Sequence, residues 1–188
     1  RRQSLLFDLT EDRALTERLE HQVFHDALTG LPNRALLSKR LDEALTRSSS
    51  TLRPFALLFV DIDGFKTIND SMGHHVGDAA LIAVAERLRH LTRTGDTVAR
   101  FGGDGFIVLL SEISGASDVN EVAARVQRAF LRPFEVDGAS IRISPSIGIS
   151  VHSRAEGTTA EMLREADAAL YAAKRAGRGQ TRIFDPAA

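Results

Sequence analysis

The hydrophobic positions of the chain follow two patterns, continuous runs of strand length and stretches with helical spacing. Residues 55–62 form an almost unbroken apolar run, which predicts a central strand buried on both faces. Residues 97–101 and 106–110 flank a glycine-rich turn and predict a β-hairpin. Shorter runs predict further strands at residues 134–136, 140–144, 146–151 and 181–184.

Helical spacing predicts helices between these strands, at residues 34–46, 77–92, 116–130 and 159–175. Asn33 is expected to cap the first of them, and the polar stretch 47–54 after it is expected to be a loop. Helices that alternate with strands, with one hairpin and no long linker, predict a single α/β domain over residues 25–188.

Residues 1–24 are predicted to form one charged, amphipathic helix in front of this domain. Four apolar residues fall on a heptad seam, but Asp12 and Thr16 interrupt it. Two interpretations fit this pattern, a solvated helix packed on its own domain and a linker that dimerises.

The composition of the 188 residues excludes several classes of function. A hydrophobic content of 43% and a charged content of 26% are typical of a globular protein. The net charge of −1 provides no basic field for nucleic acid or an anionic membrane. The absence of cysteine excludes disulfides and thiolate zinc sites and favours a reducing cytoplasm. Because the chain begins with Arg1, we expect a piece of a longer protein, either cytoplasmic or the cytoplasmic part of a membrane-bound sensor, with any membrane contact outside this piece.

Candidate chemistry lies directly after the central strand, in the stretch DIDGFKTIND. The carboxyl end of a central strand lines the crevice where ligands bind in α/β sheets. Asp61 and Asp63, with Lys66 and Asn69 after them, fit a hard cation and a phosphate. The alternative is that the two aspartates only cap the next segment.

The glycine-rich hairpin provides another carboxylate, which can lie opposite the one at the strand end. Asp104 lies at its tip among Gly102, Gly103 and Gly105. Glycines let backbone N–H groups approach a phosphate, although any tight hairpin also prefers them. Together, Asp61 and Asp104 fit a pair that holds Mg²⁺ and activates a ribose hydroxyl for attack on a phosphate.

Seven blocks, in order over residues 25–180, resemble the GGDEF family. They are DALTGLPNR (26–34), DIDGFKTIND (61–70), GH (73–74), GD (77–78), RFGGDGF (100–106), SIG (146–148) and ADAALYAAKRAGR (166–178). The resemblance implies the palm of class III nucleotidyl cyclases, with a central, mainly antiparallel sheet flanked by helices. It also implies dimers that join two GTP molecules into cyclic di-GMP, with one GTP on each subunit.

The resemblance implies a role for each matching residue. Asp61, the carbonyl of Ile62 and Asp104 would bind Mg²⁺, and Asp61, Asp104 and Lys66 would be catalytic. The residues that would bind the substrate are Asn69 and Asp78 at the guanine, Lys66, Lys174 and Arg178 at the triphosphate, and Gly102 and Gly103 at the turn. Lys174 and Arg178 also suit the end of a helix, which favours basic residues without any ligand.

The chain departs from the family signature at Gly105, where the second acidic residue of the motif is expected. Losing one preorganised electrostatic group commonly lowers a rate by about 10²–10³. We therefore expect the chain to keep its affinity for GTP while its cyclase turnover is weak or absent. The alternatives are a tolerated substitution in a slow enzyme and an engineered change from Glu to Gly.

The resemblance implies a second ligand site at Arg93 and Asp96, where family members bind cyclic di-GMP as an inhibitor. Asp96 also suits a cap on the turn before the strand, which would need no ligand. A further arginine, Arg125 or Arg128, is expected to complete the site.

The leading hypothesis is a degenerate GGDEF domain in cyclic di-GMP signalling, which binds GTP or cyclic di-GMP as a regulator or receptor with weak or no cyclase activity. The alternative is an active diguanylate cyclase. A dimeric scaffold without a nucleotide is a third hypothesis, but it has no need for the intact basic and acidic residues of the site. Expected partners are GTP, cyclic di-GMP, Mg²⁺ and a second copy of the chain.

Overall fold

A computed structural model describes residues 21, 23–152 and 157–186. The helix predicted at residues 1–24 lies almost wholly outside these residues. Whether it dimerises, and whether the domain begins at residue 25, stay predictions.

The central strand is β1 (Phe55–Ile62), which lies antiparallel between β3 (Gly105–Leu110) and β6 (Pro145–His152). Strand β2 (Thr97–Gly102) pairs antiparallel with β3, and β7 (Thr181–Ile183) pairs parallel with β6. Within the described residues these strands form one sheet in the order β2–β3–β1–β6–β7. The predicted central strand and mainly antiparallel sheet are confirmed. Separately, β4 (Phe134–Val136) and β5 (Ala139–Ile141) form a hairpin.

Helices cover both faces of this sheet. They are α1 (Arg34–Thr51), α2 (Phe65–Met72), α3 (His74–Leu91), α4 (Ala116–Phe130) and α5 (Thr159–Arg175). Leu57 and Phe59 of β1 belong to a core cluster with α1 and α5, whereas Leu58 and Val60 belong to a cluster with α3 and α4. Successive residues of β1 thus enter opposite cores, which explains why its sequence is almost continuously apolar.

Helix α1 is longer than predicted, because residues 47–51 continue the helix instead of forming a loop. Asn33 caps its start as expected, accepting hydrogen bonds from the N–H groups of Ala35 and Leu36. At the other end, the hydroxyls of Ser49 and Thr51 donate to carbonyls one turn back. These bonds satisfy the hydroxyls within the helix itself, at a stretch whose polar composition predicts a loop.

Helix α2 is not predicted by the sequence pattern. It follows Gly64, which has a φ of 70° and provides no side-chain cap. Helix α3 begins three residues earlier than predicted, directly after Gly73, and packs against α2. No helix among the described residues has the length and apolar character needed to cross a membrane.

Candidate functional site

Asp61 lies at the end of β1, opposite Gly105 of β3 in the strand register. The Nζ of Lys174, from the last turn of α5, lies 2.8 Å from Asp61 Oδ1. Burial raises the pKa of Asp61, and the nearby Asp104 and Asp63 carboxylates raise it further, while Lys174 opposes them. The fold therefore gathers three predicted acidic residues, Asp61, Asp63 and Asp104, and one predicted basic residue, Lys174, at this end of the sheet.

The glycine-rich turn is fixed against β1. The N–H of Ile62 donates to the backbone carbonyl of Asp104 at 3.3 Å. Gly102 and Gly103 are exposed and have positive φ values of 150° and 52°. A turn of this backbone shape needs glycine, and it leaves main-chain atoms accessible beside Asp104.

The acidic residues at this end fit a hard divalent cation. Mg²⁺ usually binds through one or two carboxylates and completes its shell with substrate phosphates and water. Asp61, Asp104 and the backbone of Ile62 provide such an oxygen set. Among the described residues, no cluster of three or more acidic or histidine side chains is poised to hold a metal ion.

The Asp63 carboxylate is occupied by hydrogen bonds from protein donors, which does not favour the predicted role of the Asp61–Asp63 pair in holding a cation. Its carboxylate accepts hydrogen bonds from the hydroxyls of Ser146 at 2.7 Å and Ser144 at 3.2 Å. The N–H of Gly179 donates to it at 2.8 Å. These contacts favour a structural role for Asp63. The predicted cap on the next segment is wrong for this residue, because α2 begins without a side-chain cap and the Asp63 partners lie in distant segments.

Asn69 and Asp78 are placed on facing helices. The Oδ1 of Asn69 lies so close to Gly77 that a Cβ built there would be 1.8 Å away. Gly77 immediately precedes Asp78, which is exposed on α3. Gly77 therefore makes room for the Asn69 amide, and Asp78 follows it in the chain of α3.

The three basic residues that are predicted to bind the triphosphate differ in their surroundings. Lys174 contacts Asp61, as described above. Lys66 is exposed in the first turn of α2, which follows β1 directly. Arg178 is exposed on the loop after α5, with a φ of 60°. All three lie on segments that adjoin the carboxyl end of β1.

Gly105 is buried, and even the first side-chain atom at this position, the Cβ, would contact neighbouring residues. A Cβ at this position would lie 3.1 Å from Cε1 of Phe59 and 3.3 Å from the carbonyl oxygen of Gly102. Both contacts are tighter than ordinary packing. The backbone around the missing acidic residue is thus closely packed, and Phe59 would have to shift to admit a larger residue.

The second predicted site lies at the other end of β2. Arg93, Asp96 and Arg125 line one cavity of about 420 Å³, and Arg93 and Asp96 also border a larger cavity of about 930 Å³. Arg125 lies beside this pair, and its Nε is buried without a hydrogen-bond partner in the described part of the chain. Arg128 is exposed on the same helix and lines neither cavity.

The side chain of Asp96 is less exposed than expected for a residue that contacts a ligand freely. Its side chain is 4% exposed, it accepts a hydrogen bond from the N–H of Arg93, and it lies 3.6 Å from the Arg93 guanidinium. Burial raises the pKa of Asp96, and the contacts from Arg93 and Ser111 oppose that shift. The carboxylate thus caps the turn, as one interpretation expected, while the Arg93 side chain is 62% exposed.

Two residues of the sequence motifs that carry no predicted role, Asp26 and Arg100, contact each other. Arg100 precedes the glycine-rich turn and forms an ion pair with Asp26, at 3.1 Å between Nη1 and Oδ2. It also donates from Nη2 to the carbonyl of Gly103 at 2.9 Å. Both residues lie in the quoted blocks, but only the fold shows that they meet.

Comparisons with known proteins agree with the motifs. The family model described as "Diguanylate cyclase, GGDEF domain" matches residues 23–180. The bifunctional diguanylate cyclase/cyclic di-GMP phosphodiesterase MucR of Pseudomonas aeruginosa is 44% identical over 161 residues, 86% of this chain and 23% of MucR. The diguanylate cyclase TpbB of the same species is 42% identical over 168 residues, 89% of this chain and 39% of TpbB. The chain therefore spans well under half the length of these relatives.

Solved structures resemble the chain as well. The GGDEF domain of TpbB from Pseudomonas aeruginosa superposes with a TM-score of 0.80 at 38% identity, covering 86% of this chain and 94% of the other. The coiled coil and GGDEF domain of DgcB from Caulobacter crescentus, solved with c-di-GMP, gives 0.87 at 26% identity, covering 96% and 95%. The fold expected from the sequence is therefore that of known GGDEF domains.

Proposed function

The chain belongs to the GGDEF family of diguanylate cyclase domains in cyclic di-GMP signalling, and we propose that it binds GTP with Mg²⁺ but turns it over weakly or not at all. The observation that carries this proposal is the contrast within one strand pair. Asp61 is retained with its Lys174 partner, whereas the residue opposite it is Gly105, which has no carboxylate.

The guanine and the triphosphate of GTP each have matching groups near this end of the sheet. Asn69 and Asp78 offer an amide and a carboxylate to the edge of guanine. Lys66, Lys174 and Arg178 neutralise the triphosphate, which charge-assisted hydrogen bonds favour strongly. Gly102 and Gly103 leave main-chain atoms accessible at the turn.

Asp61, Asp104 and the carbonyl of Ile62 would hold the metal ion, which neutralises charge on the phosphates when it is bound. Lys174 neutralises Asp61 while no substrate is bound. When GTP binds, the Lys174 ammonium would pair with a phosphate instead of with the Asp61 carboxylate. Asp61 and Asp104 would act through the metal ion, which would offset the negative charge of the α-phosphate and activate the ribose hydroxyl. Lys66 would offset further phosphate charge directly. The missing carboxylate at residue 105 removes one preorganised group from this set.

The decisive experiment incubates the purified protein with GTP and Mg²⁺ and separates the products by chromatography. We expect little cyclic di-GMP from the parent and about a hundredfold more from Gly105→Glu. Gly105→Ala is the matched control, because it makes the same Cβ contact with Phe59 without adding a carboxylate. A parent as fast as the Glu variant would favour the alternative, an active diguanylate cyclase.

Binding is tested separately by calorimetry. Asp61→Ala and Asn69→Ala should each weaken GTP binding by at least tenfold, because they remove a metal ligand and a guanine contact. If both variants bind GTP as tightly as the parent, the site is assigned wrongly, whatever the activity.

Cyclic di-GMP is the second proposed ligand, at Arg93, Asp96 and Arg125. A guanidinium can stack on a guanine and donate two hydrogen bonds to its edge, and an ammonium cannot. Arg93→Ala should therefore abolish binding of cyclic di-GMP, and Arg93→Lys should restore little of it. No binding to the parent after removal of copurified ligand would refute this site and leave the GTP site untouched.

Any turnover, however weak, joins two GTP molecules and so needs two nucleotide sites, of which each chain offers one. We therefore propose that the working unit is a homodimer. Residues 1–24 are a candidate linker for it. Analytical ultracentrifugation of the chain with and without these residues tests the proposal, and a monomer in both cases would refute it.

A further inference from the structure

Asp63 connects three segments that are far apart in the sequence. It follows β1, its Oδ1 accepts from Ser146 at the start of β6, and its Oδ2 accepts from Ser144 just before β6. The same Oδ2 accepts from the backbone N–H of Gly179 at 2.8 Å, on the loop after α5. We call Asp63, Ser144, Ser146 and Gly179 the Asp63 junction.

The junction holds a loop with an unfavourable backbone. Gly177, Arg178 and Gly179 have consecutive positive φ values of 119°, 60° and 59°. Glycine adopts such angles readily, but a residue with a Cβ does so only where its surroundings enforce it. The N–H of Arg178 is fixed by the carbonyl of Ala173, and the N–H of Gly179 is fixed by Asp63 and Ser146.

The chemistry of the junction requires a carboxylate. Three donors converge on Asp63, two hydroxyls and one amide, and an ionised carboxylate offers acceptor sites for all of them. An asparagine in this place would turn an NH₂ group toward at least one of these donors. Ser146 is fully buried, so its hydroxyl has little access to water as a substitute.

The geometry points to Asp63 as a positioning residue that fixes Arg178 beside the carboxyl end of β1. This inference rests on the proposed function, because it makes Asp63 set the affinity for the triphosphate that Arg178 neutralises. Asp63 itself need not touch the nucleotide. Its effect reaches the ligand through the loop that begins at Gly177.

The test compares two probes that share a guanine but differ in phosphates, GTP and GMP, by calorimetry with Mg²⁺. In Asp63→Asn and Ser144→Ala we expect GTP affinity to fall, by about tenfold in the first and less in the second. Affinity for GMP should change less than twofold, because Asn69 and Asp78 lie on other segments. A merely structural defect would lower both affinities together.

Gly179→Ala approaches the junction from the opposite side. Its Cβ would lie 2.8 Å from Ser144 Oγ, and the φ of 59° disfavours alanine. We expect the same selective loss of GTP affinity as in Asp63→Asn. The matched control is Asp70→Asn, an exposed carboxylate on α2, which should leave both affinities unchanged.

Failure of this inference is distinguishable from failure of the proposed function. A parent that binds GTP no better than GMP would overturn both. A parent that prefers GTP, together with Ser144→Ala and Gly179→Ala variants that are folded and keep that preference, would overturn the role of Asp63 alone. Should Asp63→Asn not fold, these two variants still decide the question.

Discussion

Asp26 and Arg100 form a half-buried ion pair that ties the segment before α1 to the glycine-rich turn. Arg100 also donates from Nε and Nη2 to the carbonyl of Gly103, at 3.2 and 2.9 Å. Burial raises the pKa of Asp26, but hydrogen bonds from Thr29 and Arg100 outweigh it, so the pKa lies below its usual value. The turn that carries Asp104 therefore depends on a residue outside the sheet.

Asp26→Ala should lower the free energy of unfolding by about 1–3 kcal/mol at pH 7, because it leaves the Arg100 guanidinium without its partner. A carboxyl with a depressed pKa stabilises the fold above the unfolded value of 3.8 and loses that contribution as the pH falls through the folded pKa. The difference between variant and parent should thus shrink in acid. Urea unfolding at several pH values measures it, and a difference independent of pH would contradict the ion pair's role.

Asp61→Asn should raise the free energy of unfolding at pH 7 while it weakens binding of Mg²⁺ and GTP. Burial and the nearby Asp104 raise the pKa of Asp61, so the folded state holds a proton there more tightly than the unfolded chain does. The stability from protonation is present below the unfolded value of 3.8 and is lost as the pH rises through the folded pKa. Urea unfolding at pH 7 and at pH 4 checks the sign, and a variant less stable than the parent at pH 7 would contradict it.

Gly77→Ala should lower GTP affinity about as much as Asn69→Ala does, because the new methyl group displaces the Asn69 amide. The fold should survive, since the obstructing atom is the end of a side chain and alanine favours a helix over glycine by roughly 0.5–1 kcal/mol. Competition between GTP and ATP, followed by calorimetry, reports the guanine selectivity. Unchanged selectivity would show that Asn69 does not contact the base.

Arg125→Ala should weaken binding of cyclic di-GMP by at least tenfold, whereas Arg128→Ala should leave it unchanged. Both arginines belong to α4, but only Arg125 lines the cavity shared with Arg93 and Asp96. The two variants remove the same charge from the same helix, so they control for each other. Equal effects in a titration with cyclic di-GMP would point to a general electrostatic attraction instead of a site.

Gly148→Ala should destabilise the domain by about 3 kcal/mol, because its Cβ would lie 2.2 Å from backbone atoms of Ala166 and Leu170 in α5. Neither atom can yield without moving the helix that carries Lys174. Gly115→Ala is the control, since a Cβ there meets nothing within 4 Å. Thermal unfolding distinguishes the two, and a Gly148→Ala variant as stable as the control would contradict the packing of α5 on β6.

The strands were predictable because their apolar runs reflect burial on both faces, as the alternation of Leu57 and Leu58 between two cores shows. The end of α1 was not predictable, because its serine-rich composition is typical of a loop. In the fold, a serine hydroxyl there bonds to a carbonyl of the helix itself. Helix α2 was missed because it is short and begins at Gly64 without a side-chain cap.

The candidate site was predictable as a set of residue types but not as an arrangement. The blocks contain Asp61, Asp104 and Lys174, yet nothing in the sequence pairs Lys174 with Asp61. The same holds for Asp63, whose partners Ser146 and Gly179 lie in later segments that only the fold brings near. The close packing of Phe59 on Gly105 is likewise a property of the register between β1 and β3.

The antiparallel pairing of β1 with both β3 and β6 also determines when the nucleotide site can exist during synthesis. β1 and α2 leave the ribosome before the β2–β3 hairpin, but β6, which flanks β1 on its other side, and α5, which carries Lys174, are made after it. Contacts between such distant segments are slow to form, because loop closure precedes any gain from them. A nascent chain that has completed the β2–β3 hairpin therefore exposes one edge of its central strand and lacks Lys174 and Arg178. GTP should stabilise the finished domain and do nothing for that intermediate.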